Sequence, residues 1–503
     1  MSQQHPSPQQ LRDQSQQELE RIEQIKQESR LKTKDRLQIP QQDMPAQDAV
    51  ARRRTMTEVA LGYFEEQARV EAERCLQCKK APCVAGCPVR IDIPGFIGKI
   101  AEGDYEAAYQ IITKSSLLPA VCGRVCPQEN QCQEPCTVGK SLKDTFQSVS
   151  IGRLERFVAD WHAEQASSEA EAGIDIAPAT GKKVGVIGSG PASITAAADL
   201  RRAGHEVVMF EAFHKPGGVM MYGIPEFRLP KQIVEDEIDN LRKMGVEIRT
   251  NFLIGRTRKL MDLLEADGFD ALFIGTGAGL PQFMKIEGEN LVGVYAANEF
   301  LTRSNLMKAY DSDNADTPIQ RARKVAVLGG GNVAMDAART AVRLGAEEVN
   351  VVYRRTRTEM PARAEEVDHA DEEGVVFHFL NNPVRILGDD KSQVTGIELL
   401  EHELGEPDES GRRRPVPIPG SEHVLEVDTV IVSIGNDSNP LLVSSTPGLK
   451  TNRWGNIEVD DDCRTSVDGV YAGGDIVLGA ATVILAMGQG RQAAEAINAD
   501  LAG

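Results

Sequence analysis

Positive charge is scarce in this chain: 56 Lys and Arg stand against 75 Asp and Glu, a formal net charge of -19 over 503 residues. A nucleic-acid or anionic-membrane partner needs a basic face that displaces counterions, and the short tract "GRRRP" at 411–415 is too small to provide one. Long apolar runs are missing as well. Nothing approaches the roughly 18 apolar residues of a membrane span, and the N-terminus has no apolar signal core. The expected compartment is therefore the cytoplasm, with no nucleic acid and no membrane insertion. Histidine is sparse, at 8 residues, and no nucleophile stands beside a base in a recognisable constellation. General acid-base machinery and a catalytic side chain are not expected.

Cysteine is present but unevenly placed. Eight of the nine fall between Cys75 and Cys136, and Cys463 stands alone as an expected bystander. Thiols in a reducing compartment are poor disulfide candidates, so ligation of metal or a cluster is the better expectation. "ERCLQCKKAPCVAGCPV" has the spacing C-x2-C-x4-C-x3-C-P, and "AVCGRVCPQENQCQEPC" adds Cys122, Cys126, Cys132 and Cys136. Structural zinc usually takes two C-x2-C knuckles, and only Cys75 and Cys78 have that spacing. The C-P ending resembles bacterial ferredoxin runs, in which the fourth cysteine crosses to the other cluster. Two [4Fe-4S] clusters are expected; a zinc-stapled nucleotide-binding scaffold without turnover is the alternative of another class.

At this length about three domains are expected. Residues 1–45 are Gln-rich with almost no aromatics and read as a mostly disordered arm. Val59, Phe64 and Val70 suggest an amphipathic helix leading into the cysteines, and "DYEAAYQIITK" a second. The aperiodic stretch "EQASSEAEAGIDIAPATG" reads as a linker. Beyond it, β-rich runs such as "KKVGVIG", "ALFIGTG", "KVAVLGG" and "TVIVSIG" alternate with helical ones, which indicates parallel α/β sheets buried on both faces.

Two of these runs carry dinucleotide turns. In "VGVIGSGPASITAAADLRRAGHEVVMFE", Gly188 permits the turn and Gly190 lets the backbone approach a pyrophosphate. Ser193 takes the close-packing position, where Gly or Ala is usual. Glu211 ends the second strand, where an acid can bind a ribose diol. "KVAVLGGGNVAMDAARTAVRLGAEEVNVVYRR" repeats the design with Gly329, Gly331, Asn332 and Ala334, but its second strand ends in Arg354 and Arg355. Guanidinium groups at that place suit a 2′-phosphate and an acid would repel it, so NADP(H) is expected here and FAD at the acid-ended turn.

"SVDGVYAGGDIVLGAATVILAMGQG" near the C-terminus resembles the flavoproteins with two dinucleotide-binding domains. In that group a Gly-Asp pair, here Gly474 and Asp475, meets the flavin ribityl chain. The last helix, starting near Thr482, aims its positive end at the isoalloxazine. With "IGRLERF", "GGVMMYGIPEFRLP" and "YRRTRTEMPAR", the chain after residue 50 resembles the small subunit of NADPH-dependent glutamate synthase and its relatives, the N-terminal module of dihydropyrimidine dehydrogenase and the large subunit of the bifurcating ferredoxin:NADP oxidoreductase.

The resemblance implies a helical iron-sulfur domain at 46–165, a linker at 166–181, and an FAD domain in two parts, 182–317 and 433–503, with an NADP domain inserted at 318–432. "GTGAG" at 275–279 and "SIGN" at 433–436 would be the strand-to-loop crossovers. It implies one cluster on Cys75, Cys78, Cys83 and Cys136, and another on Cys87, Cys126, Cys132 and Glu155, with Cys122 as the alternative fourth ligand. Gly217, Gly218 and Tyr222 would line the flavin. Electrons would pass from NADPH through FAD to the clusters and on to a partner, a glutamate synthase large subunit or another electron-accepting subunit. A ferredoxin:NADP or sulfide dehydrogenase type of subunit is the alternative, and a homo-oligomer is compatible with the reading.

Overall fold

The computed structural model describes residues 6–166, 176–311, 313–407 and 411–502. It is an α/β protein with two parallel sheets behind a helical N-terminal region. In the first sheet the strand order is Val470–Ala472, Ala271–Ile274, Lys183–Ile187, Glu206–Phe210, Glu247–Arg249, every pair parallel. The strand from residue 470 thus returns to a sheet begun near residue 183, which makes this unit discontinuous. The second sheet runs Val294–Ala296, Thr429–Val432, Lys324–Leu328, Glu348–Tyr353, Val376–Phe379, again parallel throughout. Its core strands are buried on both faces, as the unbroken apolar runs require.

The strand Val294–Ala296 and the helix Ala297–Asn305 belong with the second sheet, whose core takes in Ala297, Phe300 and Leu301. The sequence reading gave these residues to the first FAD segment, so the inserted unit begins earlier than residue 318. Three apolar residues do not reveal which of two similar sheets they join. Antiparallel strands Asn381–Gly388, Val394–Pro407 and Arg413–Pro417 add an excursion that the sequence reading did not foresee.

The N-terminal arm also differs from expectation. Residues Pro8–Glu28 form a helix opened by a capping box between Ser7 and Gln10. Leu11, Ser15, Leu19 and Ile22 are its buried residues, spaced along one face, and Leu19 and Ile22 share a small core with Leu31, Ile39 and Val70. Low overall hydrophobicity concealed a stripe wide enough to dock. The helix expected from Val59 is shorter, Glu65–Glu73, with Phe64 at its N-cap. Val59 lies in a bend ahead of the helix, its N–H donating to the carbonyl of Phe227 at 2.9 Å. Of the expected linker, residues 167–175 lie outside the described residues. Ala177 and Thr180 are pinned by backbone bonds to Arg202 and Gly204.

Helix Val483–Leu501 packs on helix Pro191–Arg202 behind the first glycine turn. The approach is close: a Cβ on Gly490 would sit 2.1 Å from the Ala192 carbonyl oxygen. Small residues at this crossing let the two helices approach closely.

Candidate functional site

Gly188 has φ +97°, and a Cβ there would lie 2.4 Å from the Gly275 carbonyl oxygen, so the crossover at "GTGAG" passes directly behind the turn. A Cβ on Gly190 would meet nothing within 4 Å. Open space therefore remains where a pyrophosphate would lie on the helix N-terminus. Ser193 is fully buried and its hydroxyl donates to Gly275 O at 3.4 Å, which makes the crowded position one for a small polar residue. Gly218 backs onto the same turn, where an added Cβ would be 2.7 Å from Gly190 Cα. The Gly217 N–H donates to Ser189 Oγ at 2.9 Å, and Ser189 Oγ–H donates to Glu211 Oε2.

Glu211 is buried and its carboxyl is pushed up by that burial, against the N–H of Phe213, which donates to Oε1 at 2.7 Å. Tyr222 is raised to about 12, first by burial and then by the charges of Glu211 and Asp475. The Tyr222 ring of the "YGIP" loop packs edge-on against Phe213, two residues past Glu211, at 5.5 Å. Asp475 is itself raised to about 6 by burial, with the Ala481 N–H its stabilising partner. Gly474 has φ +79°, and Thr482 caps the helix Val483–Leu501.

The second turn repeats the first. A Cβ on Gly329 would be 2.1 Å from Ser433 O, which places the "SIGN" crossover behind it, whereas a Cβ on Gly331 would meet only Pro361 Cγ at 4.0 Å. Ala334 is fully buried. Asn332 begins helix Asn332–Arg343, and its Oδ1 accepts from the Arg363 N–H at 2.9 Å. The two strand-end arginines part company. Arg354 is exposed, while Arg355 is 5% exposed and its Nε donates to the Arg413 carbonyl at 2.7 Å, anchoring the strand Arg413–Pro417.

The cysteines form two sets. Cys75, Cys78, Cys83 and Cys136 line one small cavity with Leu76 and Thr137. Cys78 Sγ donates to Thr137 Oγ1 at 3.3 Å. Burial raises Cys75 to about 11 and Cys83 to about 12, and the neighbouring thiols add to both shifts. Cys87, Cys126, Cys132 and Glu155 interact in the second set. Burial raises Cys87 to about 11, with the charges of Glu155 and Cys126 contributing, and holds Cys132 far above the ordinary thiol range.

Glu155 is raised to about 8 by burial, and its Oε1 has no hydrogen-bond partner. Cys122 touches this set too, coupled to Cys126 by a hydrogen bond. Its sulfur also donates to Met487 Sδ at 3.6 Å and accepts from Ser116 at 3.9 Å. Among the described residues no group of three His, Cys, Asp or Glu is arranged to hold a metal ion. The fit to iron-sulfur clusters therefore rests on donor chemistry: two sets of buried or half-buried thiols, one of them beside a carboxyl oxygen with no hydrogen-bond partner among the described residues.

The second set lies beside the C-terminal helix. Gln131 Nε2 donates to Thr482 Oγ1 at 3.3 Å, and a Cβ on Gly488 would be 3.6 Å from Pro88 O. In the first set Cys78 and Cys83 are only half-buried. Cys463 belongs to neither set, its sulfur near Gln489 O at 3.8 Å.

An ionic junction where the three regions meet escaped the sequence reading. Arg228 grips Asp336 at 2.7 and 2.8 Å; Arg339, Arg343 and Arg52 surround Glu373 at 2.8, 2.6 and 2.9 Å. The guanidinium of Arg343 also covers the Phe227 ring at 3.9 Å. The available signal is the motif "GIPEFRLP", whose arginine is Arg228.

Residues 52–167 match the family model described as dihydropyrimidine dehydrogenase domain II, 4Fe-4S cluster, and residues 182–497 match that of pyridine nucleotide-disulphide oxidoreductase. The glutamate synthase [NADPH] small chain of Azospirillum brasilense is 38% identical over 90% of this chain and 92% of its own length. The NADP(+)-dependent formate dehydrogenase subunit beta of Moorella thermoacetica is 40% identical over 83% of this chain, which spans only 59% of that protein. Among solved structures, Mycobacterium tuberculosis FprA in complex with NADPH superposes with a TM-score of 0.52, covering 65% of this chain and 84% of its own at 22% identity. That likeness speaks to the fold alone.

Proposed function

The chain belongs to the pyridine nucleotide-disulphide oxidoreductase family, with a glutamate-synthase-small-chain arrangement of domains, and on that footing we propose that it conducts electrons from NADPH to a partner subunit. FAD, NADP(H) and [4Fe-4S] clusters are the cofactors of the reading. Flavin, when bound, would take up the two electrons of one hydride and let the clusters carry them on singly; the protein's own work is positioning. Gly188, Gly190, Ser193, Glu211, Gly217, Gly218, Tyr222, Gly474, Asp475 and Thr482 would hold FAD. Gly329, Gly331, Asn332, Ala334 and Arg354 would hold NADPH, with Arg355 bracing the neighbouring strand. Cys75, Cys78, Cys83 and Cys136 would hold one cluster, and Cys87, Cys126, Cys132 and Glu155 the other.

The observation that carries the reading is the contact of the second thiol loop with the start of helix Val483–Leu501, through Gln131 and Thr482. It supports a path from the flavin helix to the thiols. The half-buried first set would then be the exit toward the partner. A glutamate synthase large chain is the partner put forward. A formate dehydrogenase type of complex is the second reading, favoured by the 40% identity to the Moorella subunit.

Anaerobic purification with iron and sulfide supplied tests the reading: a yellow-brown protein carrying flavin and iron, bleached by NADPH, is expected. A colourless protein containing zinc would contradict it. Assaying glutamine-dependent glutamate formation with the large chain, against formate-dependent NADP+ reduction with the alternative partner, separates the two complexes.

A further inference from the structure

Arg363 belongs to the nicotinamide-nucleotide unit but reaches out of it. Its backbone N–H is held by Asn332 Oδ1, and the N–H of Ala362 by Gly330 O at 3.2 Å, so the residue is fixed to the second glycine turn. Its guanidinium lies among the residues that follow Cys122. Nη1 donates to Arg124 O at 2.6 Å and Nη2 to Gln128 Oε1 at 3.3 Å. Gln128 in turn donates to Cys122 O at 3.2 Å, and its N–H to Cys126 O at 2.9 Å. The side chain is 8% exposed, and its Nε has no hydrogen-bond partner, the nearest acid being Glu129 Oε2 at 3.9 Å. Glu365 Oε2 accepts from Nη2 at 2.9 Å, and its Oε1 lies 3.6 Å from Arg153.

Resting on the electron-transfer reading, we infer that Arg363 is a positioning residue for the second thiol set: its buried positive charge sets the reduction potential of the iron held by Cys87, Cys126, Cys132 and Glu155. NADPH oxidation supplies two electrons and releases one proton. Each electron that arrives at this set adds one negative charge in a place screened from water, and a nearby cation favours that reduced state. Arg363 reaches the loop that carries Cys126 through Gln128, which accepts from Nη2 and whose own N–H donates to Cys126 O. Removing the guanidinium would also leave Glu129 and Glu365 with less compensation. The first set shares no contact with Arg363 and serves as an internal control.

The test is an anaerobic redox titration of the holoprotein followed by electron paramagnetic resonance, with iron and flavin content measured in parallel. In Arg363→Gln, the reduced-to-oxidised ratio of the second set at a fixed potential is expected to fall about tenfold, equivalent to about 59 mV for a one-electron couple. Arg363→Lys restores most of it. Glu129→Gln, which keeps the arginine and removes the acid opposite it, shifts the potential the other way; it decides the matter if the first variant loses iron. Unmoved potentials, an equal shift in both sets, or a lysine variant as low as the glutamine one would overturn the inference. A wild-type protein without iron, or with iron that never responds to NADPH, would instead count against the electron-transfer reading itself.

Discussion

The unpartnered Oε1 of Glu155 shows how one residue can change the meaning of its neighbours. A buried carboxyl without a partner is costly, and this one is held at about 8 by that burial, beside three thiols in the same state. Its place was legible only through the "IGRLERF" resemblance, since helix spacing alone makes it one more acid on an amphipathic helix. We expect Glu155→Ala to lose about half the iron while keeping flavin, and Cys122→Ala to keep both. Iron-to-flavin ratios and the loss of one of two cluster signals are the readout. The strand-end arginines carry a second prediction. Arg354→Ala should raise the KM for NADPH on the order of tenfold with NADH unchanged, as for loss of one charge-assisted bond. Arg355→Ala, which frees the strand anchored at Arg413, should affect both nucleotides alike in steady-state kinetics.

Between elements, what the sequence disclosed depended on how far apart the partners lie. Strand, glycine turn and helix follow one another within some thirty residues, so both dinucleotide units were readable from local pattern. The ionic junction was not, because Arg228 and Asp336 are 108 positions apart and Arg52 and Glu373 are 321 apart. No periodicity links such pairs. The early start of the inserted unit at Val294 was hidden for the same reason.

The junction makes stability depend on acid pH. Burial alone would raise Glu373, but the hydrogen bond to Arg343 and the charge of Arg339 outweigh it and bring it to about 2, below the ordinary 4.5. A carboxyl depressed in the folded state contributes fully above its unfolded value and loses that contribution as pH falls toward the folded one, here between about 4.5 and 2. The full contribution is on the order of 3 kcal/mol. Glu373→Gln should therefore unfold more readily than wild type at neutral pH, and the gap should narrow steadily below pH about 4.5. Parallel thermal denaturation of the two apoproteins checks this; a gap independent of pH would remove the ionic account of the junction.

Across the whole molecule, the three regions read as one conductor. The first dinucleotide turn is linked through the C-terminal helix to the loop of the inner thiols, and the second turn reaches the same loop through Arg363. Among the described residues no helix is long and apolar enough to cross a membrane. The order of parts was visible in the sequence because each part has a local motif. Their mutual seating was not, since it is set by Gln131 on Thr482, Arg363 on the cysteine loop and Arg228 on the second glycine helix. The measurement that bears most directly on this account is rapid-freeze electron paramagnetic resonance after anaerobic mixing with NADPH. Flavin absorbance should fall first and two reduced iron-sulfur signals should rise after it; a flavin that bleaches fully while the iron stays oxidised at every time point would contradict it.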